Sequence, residues 1–332
     1  MAILFAAGLL VIAVLVYLIF FNNSKPPSPD SPPPECLSDP YWGNHKYMTL
    51  PTSNLKMHYV EKGDEEKPLM LFLHGFPEFW YSWRYQLYRH SDKFWCVAPD
   101  LRGYGDSDKP NGVGNFALRK LVEDVRDLIQ GLGRSECILV AHDWGGMLGY
   151  AFCAQYPSMV KMYVAVNTVN ISAPYLNTSQ QKLKMMLLAP FLLPYLPEWF
   201  LTRRGAKQFF AEMYKTAFHL HPGTAEQDLA AYSYAFRESH TWTCALNYYR
   251  ALATHADQEI LKKMASIRVP VRCIFGTEDK NLSVEMAQSC RDVCEDFDIV
   301  LLDGVSHFSQ SEAPERVSTH IHKFVTGEEY LM

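Results

Sequence analysis

The residue whose surroundings best suit chemistry is Asp143, an aspartate flanked two places away by Ala141 and Gly145. A sharp turn from a strand into a helix needs such small neighbours, because they allow a strained turn to lift one side chain above a sheet. A carboxylate raised there could attack a saturated, electrophilic carbon and form an alkyl ester. The ordinary alternative is an aspartate that only caps the helix that follows it.

Two residues later in the chain could complete a catalytic set. Asp279 follows one predicted strand and His307 follows the last one, so the order is nucleophile, acid, histidine, as in α/β hydrolases. His307 would take a proton from the water that cleaves the ester, and Asp279 would hold the imidazole in the required tautomer. Glu278 is a rival for the role of Asp279. Each of these residues alone could be an ordinary loop residue.

An ester intermediate also needs backbone N–H groups to stabilise the oxyanion that forms when water attacks it. The residue after the nucleophile, Trp144, is one expected donor. The second donor should come from the loop after an early strand, at residues 74–77. Phe76 is the candidate there because Pro77 has no N–H. A tight structural turn is the alternative for this loop.

Buried strands that alternate with helices would position these residues. Short apolar runs predict strands at 55–60, 68–73, 94–99, 138–141, 161–166, 269–275 and 297–302. Between them, periodic segments predict helices at 118–132, 147–153, 283–294 and 314–325. This alternation predicts a mostly parallel, doubly wound α/β sheet. Residues 171–257 contain aromatic, proline-punctuated helical segments and no clear strands, which predicts a helical cap inserted into a core of 41–170 and 258–332.

The N-terminus predicts a membrane anchor followed by a spacer. Residues 2–21 carry no charge, and about 20 apolar residues span a bilayer. A cleaved signal peptide is the alternative, but no small-residue cleavage pattern follows. We therefore expect a transmembrane anchor at 1–22, a proline-rich linker at 23–40, and a single-pass protein of the endoplasmic reticulum.

Composition excludes several functional classes. The chain has 332 residues and a net charge of -5 with no basic block, so nucleic acid is not an expected partner. Its eight cysteines form no CxxC pair, so we predict free thiols rather than a zinc site or a disulfide scaffold. The proposed chemistry requires neither a metal nor an organic cofactor.

Four motifs resemble those of the α/β-hydrolase-fold epoxide hydrolases: HGFPEFWYSW at 74–83, DLRGYG at 100–105, HDWGG at 142–146 and GVSH at 304–307. The resemblance covers about 36–327, and with the predicted anchor it is nearest to the membrane-anchored epoxide hydrolase 3 and 4 group. It implies the roles given above, a cis peptide before Pro77, and a cap tyrosine that protonates the leaving alkoxide. The segment 246–250 places that role on Tyr249, with Tyr248 as the less favoured neighbour.

The sequence departs from the resemblance at two places. A second cap tyrosine is expected upstream, where Leu187 stands instead, and Tyr195 or Tyr175 could replace it. A His-Pro dipeptide expected after the strand at 161–166 is replaced by a segment that begins at Asn167. One lost hydrogen bond to a developing oxyanion can cost about 10²–10³ in rate. Leu187 therefore predicts a lower rate of epoxide opening unless another tyrosine donates in its place.

Three functions fit these observations. The first is hydrolysis of an apolar epoxide, such as a lipid epoxide, to a vicinal diol, and the apolar cap run at 185–193 favours such a substrate. The second is a haloalkane dehalogenase-type hydrolase, although Phe76 stands where such enzymes often place an asparagine and Tyr249 would have no purpose. The third is a non-catalytic, membrane-tethered binding protein, which the altered cap favours and the intact triad opposes.

Overall fold

The computed structural model describes residues 31–177, 189–204, 206–221 and 223–328. The predicted anchor, residues 23–30 of the predicted linker, and Leu187 lie outside the described residues. Within the described part of the chain, no helix is long and apolar enough to cross a membrane.

One sheet of eight strands forms the centre of the protein. The strands are β1 Asn44–Thr49, β2 Lys56–Lys62, β3 Leu69–Leu73, β4 Trp95–Pro99, β5 Cys137–His142, β6 Val160–Val166, β7 Val271–Gly276 and β8 Phe297–Leu302. Their spatial order is β1-β2-β4-β3-β5-β6-β7-β8. The β1–β2 and β2–β4 pairs are antiparallel, and all the other pairs are parallel. The predicted fold class, a mostly parallel α/β-hydrolase sheet, is confirmed.

Burial explains which strands the sequence revealed. β3, β4 and β5 are buried along their whole length, and their continuous apolar runs fit a sheet covered on both faces. β1 was not predicted. Five of its six residues are exposed, and most are polar, because it is the edge strand and pairs only with β2.

The described helices are α1 Arg84–His90, α2 Leu118–Gly131, α3 Asp143–Gln155, α4 Ala189–Leu192, α5 Leu196–Arg204, α6 Ala206–Met213, α7 Lys215–Leu220, α8 Ala225–Ala235, α9 Ser239–Thr254, α10 Gln258–Lys263, α11 Val284–Ser289, α12 Ser309–Glu312 and α13 Pro314–Thr326. The predicted helix at 283–294 is instead α11 followed by a 3-10 turn, Cys290–Val293. All eight cysteines are free thiols, as predicted.

Helices α4 to α10 lie between β6 and β7. Of these, α4 to α9 fall in the range 171–257, which was predicted as a cap, and no strand occurs among the described residues of that range. A buried ion pair joins this cap to the core. Arg84 Nη2 lies 2.7 Å from Asp228 Oδ2 on α8, and the Tyr81 hydroxyl donates to the other carboxylate oxygen at 3.0 Å. This link helps to fix the cap over the carboxyl ends of the strands.

Candidate active site

Asp143 occupies a strained turn between β5 and α3. Its φ is +48°, a left-handed conformation that a non-glycine residue rarely adopts. Two neighbouring glycines make room for this turn because they carry no side chain. A Cβ on Gly145 would collide with the carbonyl oxygens of Leu73 and His74, and one on Gly75 would lie 2.6 Å from the Asp143 Cβ. The side chain of Asp143 is 21% exposed, so it faces an accessible space above the sheet. The predicted elbow geometry is present.

His307 stands beside Asp143 with Asp279 behind it. His307 Nδ1 donates to Asp279 Oδ2 at 2.7 Å, and His307 Nε2 lies 3.4 Å from Asp143 Oδ2. Glu278, the rival acid, is exposed at the protein surface. Loops after β7 and β8 carry the acid and the histidine, as the sequence predicted. The structure therefore brings the three predicted residues together and separates Glu278 from them.

The three groups shift one another's pKa values. Burial alone would raise the pKa of Asp143, but the hydrogen bond and the charge of His307 hold it below its ordinary value. The pKa of Asp279 is likewise lowered, because the charge of His307 and its hydrogen bond outweigh burial. Burial lowers the pKa of His307, yet the two carboxylates raise it well above its ordinary value. The resting site thus favours an imidazolium between two carboxylates.

Asn167 holds Asp279 in place, a role that the sequence did not predict. Its Nδ2 donates to Asp279 Oδ2 at 2.8 Å, and its own φ is +40°. The other oxygen, Asp279 Oδ1, accepts the backbone N–H groups of Asn281 and Leu282 at 2.8 and 3.0 Å. All four contacts to this carboxylate are donors. The position of Asn167 immediately after β6 was the available signal.

The Phe76 loop supplies a backbone donor to the nucleophile. Phe76 N donates to Asp143 Oδ1 at 2.9 Å, and the Phe76–Pro77 peptide bond is cis, as the resemblance implied. In this fully described region, the Trp144 N–H makes no hydrogen bond to the carboxylate. Trp144 follows Asp143 at the start of α3, where its N–H is free of the helical ladder. Asp143 Oδ1 is therefore the oxygen held in the predicted oxyanion hole.

A second buried acid–histidine pair, Glu78 and His142, lies beneath the site and was not predicted. Glu78 Oε2 accepts Gly75 N at 2.7 Å and His142 Nδ1 at 2.6 Å, while Glu78 Oε1 accepts Gln310 Nε2 at 2.8 Å. His142 Nε2 lies 2.9 Å from the backbone oxygen of His307. The network connects the oxyanion loop, the elbow and the histidine loop. A lone carboxylate within the aromatic segment 76–83 was the signal for it.

The proton count of this second pair follows from its partners. Both nitrogens of His142 face oxygen acceptors, so His142 Nε2 must donate to the His307 carbonyl. A further proton then lies between His142 Nδ1 and Glu78. Burial raises the pKa of Glu78, but the charge and hydrogen bond of His142 lower it below its ordinary value. Glu78 is therefore a buried carboxylate that accepts a hydrogen bond from His142 Nδ1.

Tyr249 and Phe191 form an aromatic roof over the nucleophile. The ring of Tyr249 lies 4.7 Å from Trp144 and 5.3 Å from Phe76, and Phe191 lies 5.4 Å from Tyr249. Burial, followed by the charge of Asp143, raises the pKa of Tyr249 well above its ordinary value. A phenol in this position therefore keeps its proton.

The other tyrosines considered from the sequence have different positions. Tyr248 is buried, and its hydroxyl donates to the Arg102 carbonyl at 2.9 Å, so it stabilises the cap–core contact. Tyr195 is 84% exposed and lies on the cap surface. The hypothesis that Tyr195 replaces the missing cap tyrosine is therefore not supported. Tyr175 packs partly buried against the core.

The fold and this arrangement of residues define an α/β hydrolase whose nucleophile position holds an aspartate. The family model described as alpha/beta hydrolase fold matches residues 68–314. Human epoxide hydrolase 4 is 35% identical over 311 residues, which cover 89% of this chain and 83% of the relative. Epoxide hydrolase 1 of Caenorhabditis elegans is 35% identical over 84% of this chain and 70% of its own. The chain belongs to the epoxide hydrolases of the α/β-hydrolase fold.

Solved structures are similar in the same region. A laboratory-evolved variant of potato epoxide hydrolase superposes with a TM-score of 0.76 at 26% identity, and the match covers 86% of this chain and all of that one. An epoxide hydrolase from Vigna radiata has a TM-score of 0.70 at 28% identity, covering 86% of this chain and 98% of that one. The family resemblance stated from the motifs is confirmed.

Proposed function

We propose that this chain hydrolyses apolar epoxides to vicinal diols through an alkyl ester on Asp143. The observation that carries the proposal is the position of His307 Nε2, 3.4 Å from Asp143 Oδ2, with Asp279 at its other nitrogen. A nucleophile, a base and the group that orients the base then stand in one line beneath Tyr249. Family membership supports the same reaction.

In the first step, Asp143 Oδ2 attacks an epoxide carbon. The carbon–oxygen bond of the ring breaks, its electron pair goes to the epoxide oxygen, and that oxygen takes the proton of the Tyr249 hydroxyl. Asp143 Oδ1, which the Phe76 N–H holds at 2.9 Å, becomes the carbonyl oxygen of the ester. The lowered pKa of Asp143 supports this role because the attacking carboxylate must be ionised.

Ester formation removes the charge of Asp143, so His307 releases its proton to solvent before the second step and regains one when Asp143 is ionised again. The neutral imidazole takes a proton from water, and the hydroxide attacks the ester carbonyl carbon. Negative charge develops on Oδ1, where Phe76 and Trp144 supply N–H groups. Collapse of this intermediate expels the diol alkoxide, which takes the proton from His307. The Asp143 carboxylic acid then releases its own proton, and solvent returns one to Tyr249. The sum is epoxide plus water to diol.

We further propose that residues 2–21 anchor the enzyme as a single-pass membrane protein and that the enzyme resides in the endoplasmic reticulum. The charge-free length of this segment supports an anchor. The aromatic roof, Tyr249 and Phe191, and the neighbouring ring of Phe76 support an apolar substrate. A single tyrosine, Tyr249, would then bind the epoxide oxygen, since Leu187 stands where the family places another.

Diol formation from an aryl epoxide and a long-chain fatty-acid epoxide tests the proposal. Wild type should convert at least one class, and Asp143→Ala should convert neither. Tyr249→Phe should lower kcat/KM about 10²-fold or more, because one hydrogen bond to a developing alkoxide is lost. Tyr248→Phe is the matched control and should retain kcat/KM. An inert wild type across a broad epoxide panel would favour the binding-protein alternative, and halide release would favour the dehalogenase.

A further inference from the structure

A short stretch of the cap, Leu192–Leu196, exposes apolar side chains to solvent; we call it the cap loop. Tyr195 is 84% exposed, Leu193 46%, Leu192 44% and Leu196 38%. A contiguous set of large apolar side chains on a surface indicates an interaction site more often than a single exposed leucine does. The cap loop is therefore a candidate contact surface.

The cap loop is held in position from beneath. Arg250 Nη2 donates to the Leu193 carbonyl at 2.6 Å, and Arg250 also forms a two-point ion pair with Glu198, at 2.7 and 3.0 Å. Tyr195 has a φ of +64°, which a bulky side chain adopts only when its surroundings enforce it. The strained backbone directs the tyrosine outward rather than into the protein. A fixed, strained and exposed aromatic residue points to a partner outside the fold.

The course of the N-terminal chain favours a lipid bilayer as that partner. The 3-10 turn Glu35–Leu37 packs on cap helix α8, where Cys36 Sγ lies 3.7 Å from the Gln227 carbonyl oxygen. The charge-free residues 2–21 precede this point. The intervening stretch 22–34, if extended, would reach at most about 40 Å. A membrane anchor at 2–21 would thus be attached to the protein on its cap side, beside α8.

The chemistry of the cap loop fits the same partner. Leucine side chains partition into the acyl region of a bilayer, and tyrosine favours the boundary where its ring is apolar and its hydroxyl is wet. All four exposed side chains are of these two kinds. A partner protein recognised by charge would find no charged side chain within 192–196.

The cap loop is also connected to the roof of the active site. Phe191, the residue before the cap loop, contacts Tyr249 at 5.4 Å and Phe76 at 5.8 Å between ring centroids. Arg250, which holds the cap loop, is the next residue after Tyr249. We propose that the cap loop docks into the surface of a lipid bilayer. That an apolar epoxide passes there from the bilayer to Asp143 rests on the proposed hydrolysis; the docking itself rests only on the proposed membrane anchor.

Site-directed fluorescence on the full chain tests the docking. The partly exposed Cys36 and Cys294 are first changed to serine. Tyr195→Cys, labelled with an environment-sensitive fluorophore, is then compared with Leu301→Cys, an exposed position on β8, away from the cap. With phosphatidylcholine vesicles that carry a doxyl quencher, the label at 195 should shift to the blue and lose intensity. The label at 301 should do neither. Equal water exposure at both positions would overturn the proposal.

A blue shift at 195 that needs no lipid would also overturn it, because a second copy or another segment of the chain would then cover the loop. Tyr195→Gly keeps the test independent of folding, since glycine adopts a positive φ without strain. In this variant, kcat/KM should fall for a membrane-dissolved epoxide and stay unchanged for a water-soluble one. Equal kcat/KM ratios would contradict delivery from the bilayer. A wild type that converts neither epoxide would refute the proposed function. The fluorescence test would then still decide whether the cap loop docks.

Discussion

Three buried histidines in this fold place Nδ1 against a carboxylate at nearly equal distance. The pairs are His307 with Asp279 at 2.7 Å, His142 with Glu78 at 2.6 Å, and His58 with Asp100 at 2.7 Å. Each pair is buried, and each lies at or beside the central sheet. This first contact, which is often taken as the mark of a catalytic pair, does not distinguish one of them from the others.

The three histidines differ at Nε2. In His142 this nitrogen faces the His307 carbonyl at 2.9 Å, and in His58 it faces His45 Nδ1 at 2.9 Å, so the protein itself occupies both. In His307 it faces the partly exposed Asp143 carboxylate at 3.4 Å. A general base needs a lone pair that water can reach. The group that faces Nε2, and not the carboxylate at Nδ1, therefore decides which histidine can act as a general base.

The largest expected effect distinguishes His307 from His58. His307→Gln should lower diol formation by about 10⁴-fold, because no other nitrogen can activate water. Protein heavier by the mass of one substrate should accumulate, measured by intact mass spectrometry. His58→Gln is the control, and its folded fraction should turn over normally. Equal losses in the two variants would contradict the distinction.

Asp279→Asn should have the next largest effect. All four contacts to this carboxylate come from donors, so the amide NH₂ would face a donor in either orientation. The imidazole of His307 would then no longer be held in the required tautomer, and its charged form would lose the stabilising carboxylate. We expect kcat to fall roughly 10³-fold. The exposed neighbour Glu278→Gln should leave kcat unchanged. A comparable loss in Glu278→Gln would mean that the wrong acid has been assigned.

Glu78→Gln tests the pair that the comparison treats as structural. The carboxylate accepts donors on both oxygens, so glutamine would remove its buried charge and place an NH₂ group against one of those donors. We expect the free energy of unfolding to fall by about 3 kcal/mol in denaturant titration. Any rate loss in the folded fraction should be smaller than that of Asp279→Asn. An unchanged unfolding free energy would show that the pair carries no buried charge.

The smallest effect concerns the pKa of His307. Asp279 and Asp143 both raise this pKa, so Asp143→Asn should lower it, measured by NMR titration of the imidazole. Ester formation removes the same charge. Ester hydrolysis should therefore become faster as pH rises through the lowered pKa, since His307 must be neutral to act as a base. An unchanged or higher pKa in Asp143→Asn would contradict the coupling.

The contrast also shows what the sequence could predict. Asp143, Asp279 and His307 follow strands β5, β7 and β8, and parallel strands bring their carboxyl ends together, so their meeting was predictable. Glu78 and Asn167 were missed because their partners come from loops distant in the chain, and no local pattern shows which loops meet. β1 was missed because an exposed edge strand has no apolar pattern to recognise.

The oxygen source of the first turnover tests the central claim, that Asp143 forms a covalent ester. Excess enzyme converts an epoxide once in water labelled with ¹⁸O, and the diol and the peptide that contains Asp143 are analysed by mass spectrometry. We predict an unlabelled diol and one ¹⁸O atom in the Asp143 carboxylate, because water attacks the ester carbonyl and not the substrate carbon. An ¹⁸O-labelled diol with an unlabelled Asp143 would contradict the mechanism.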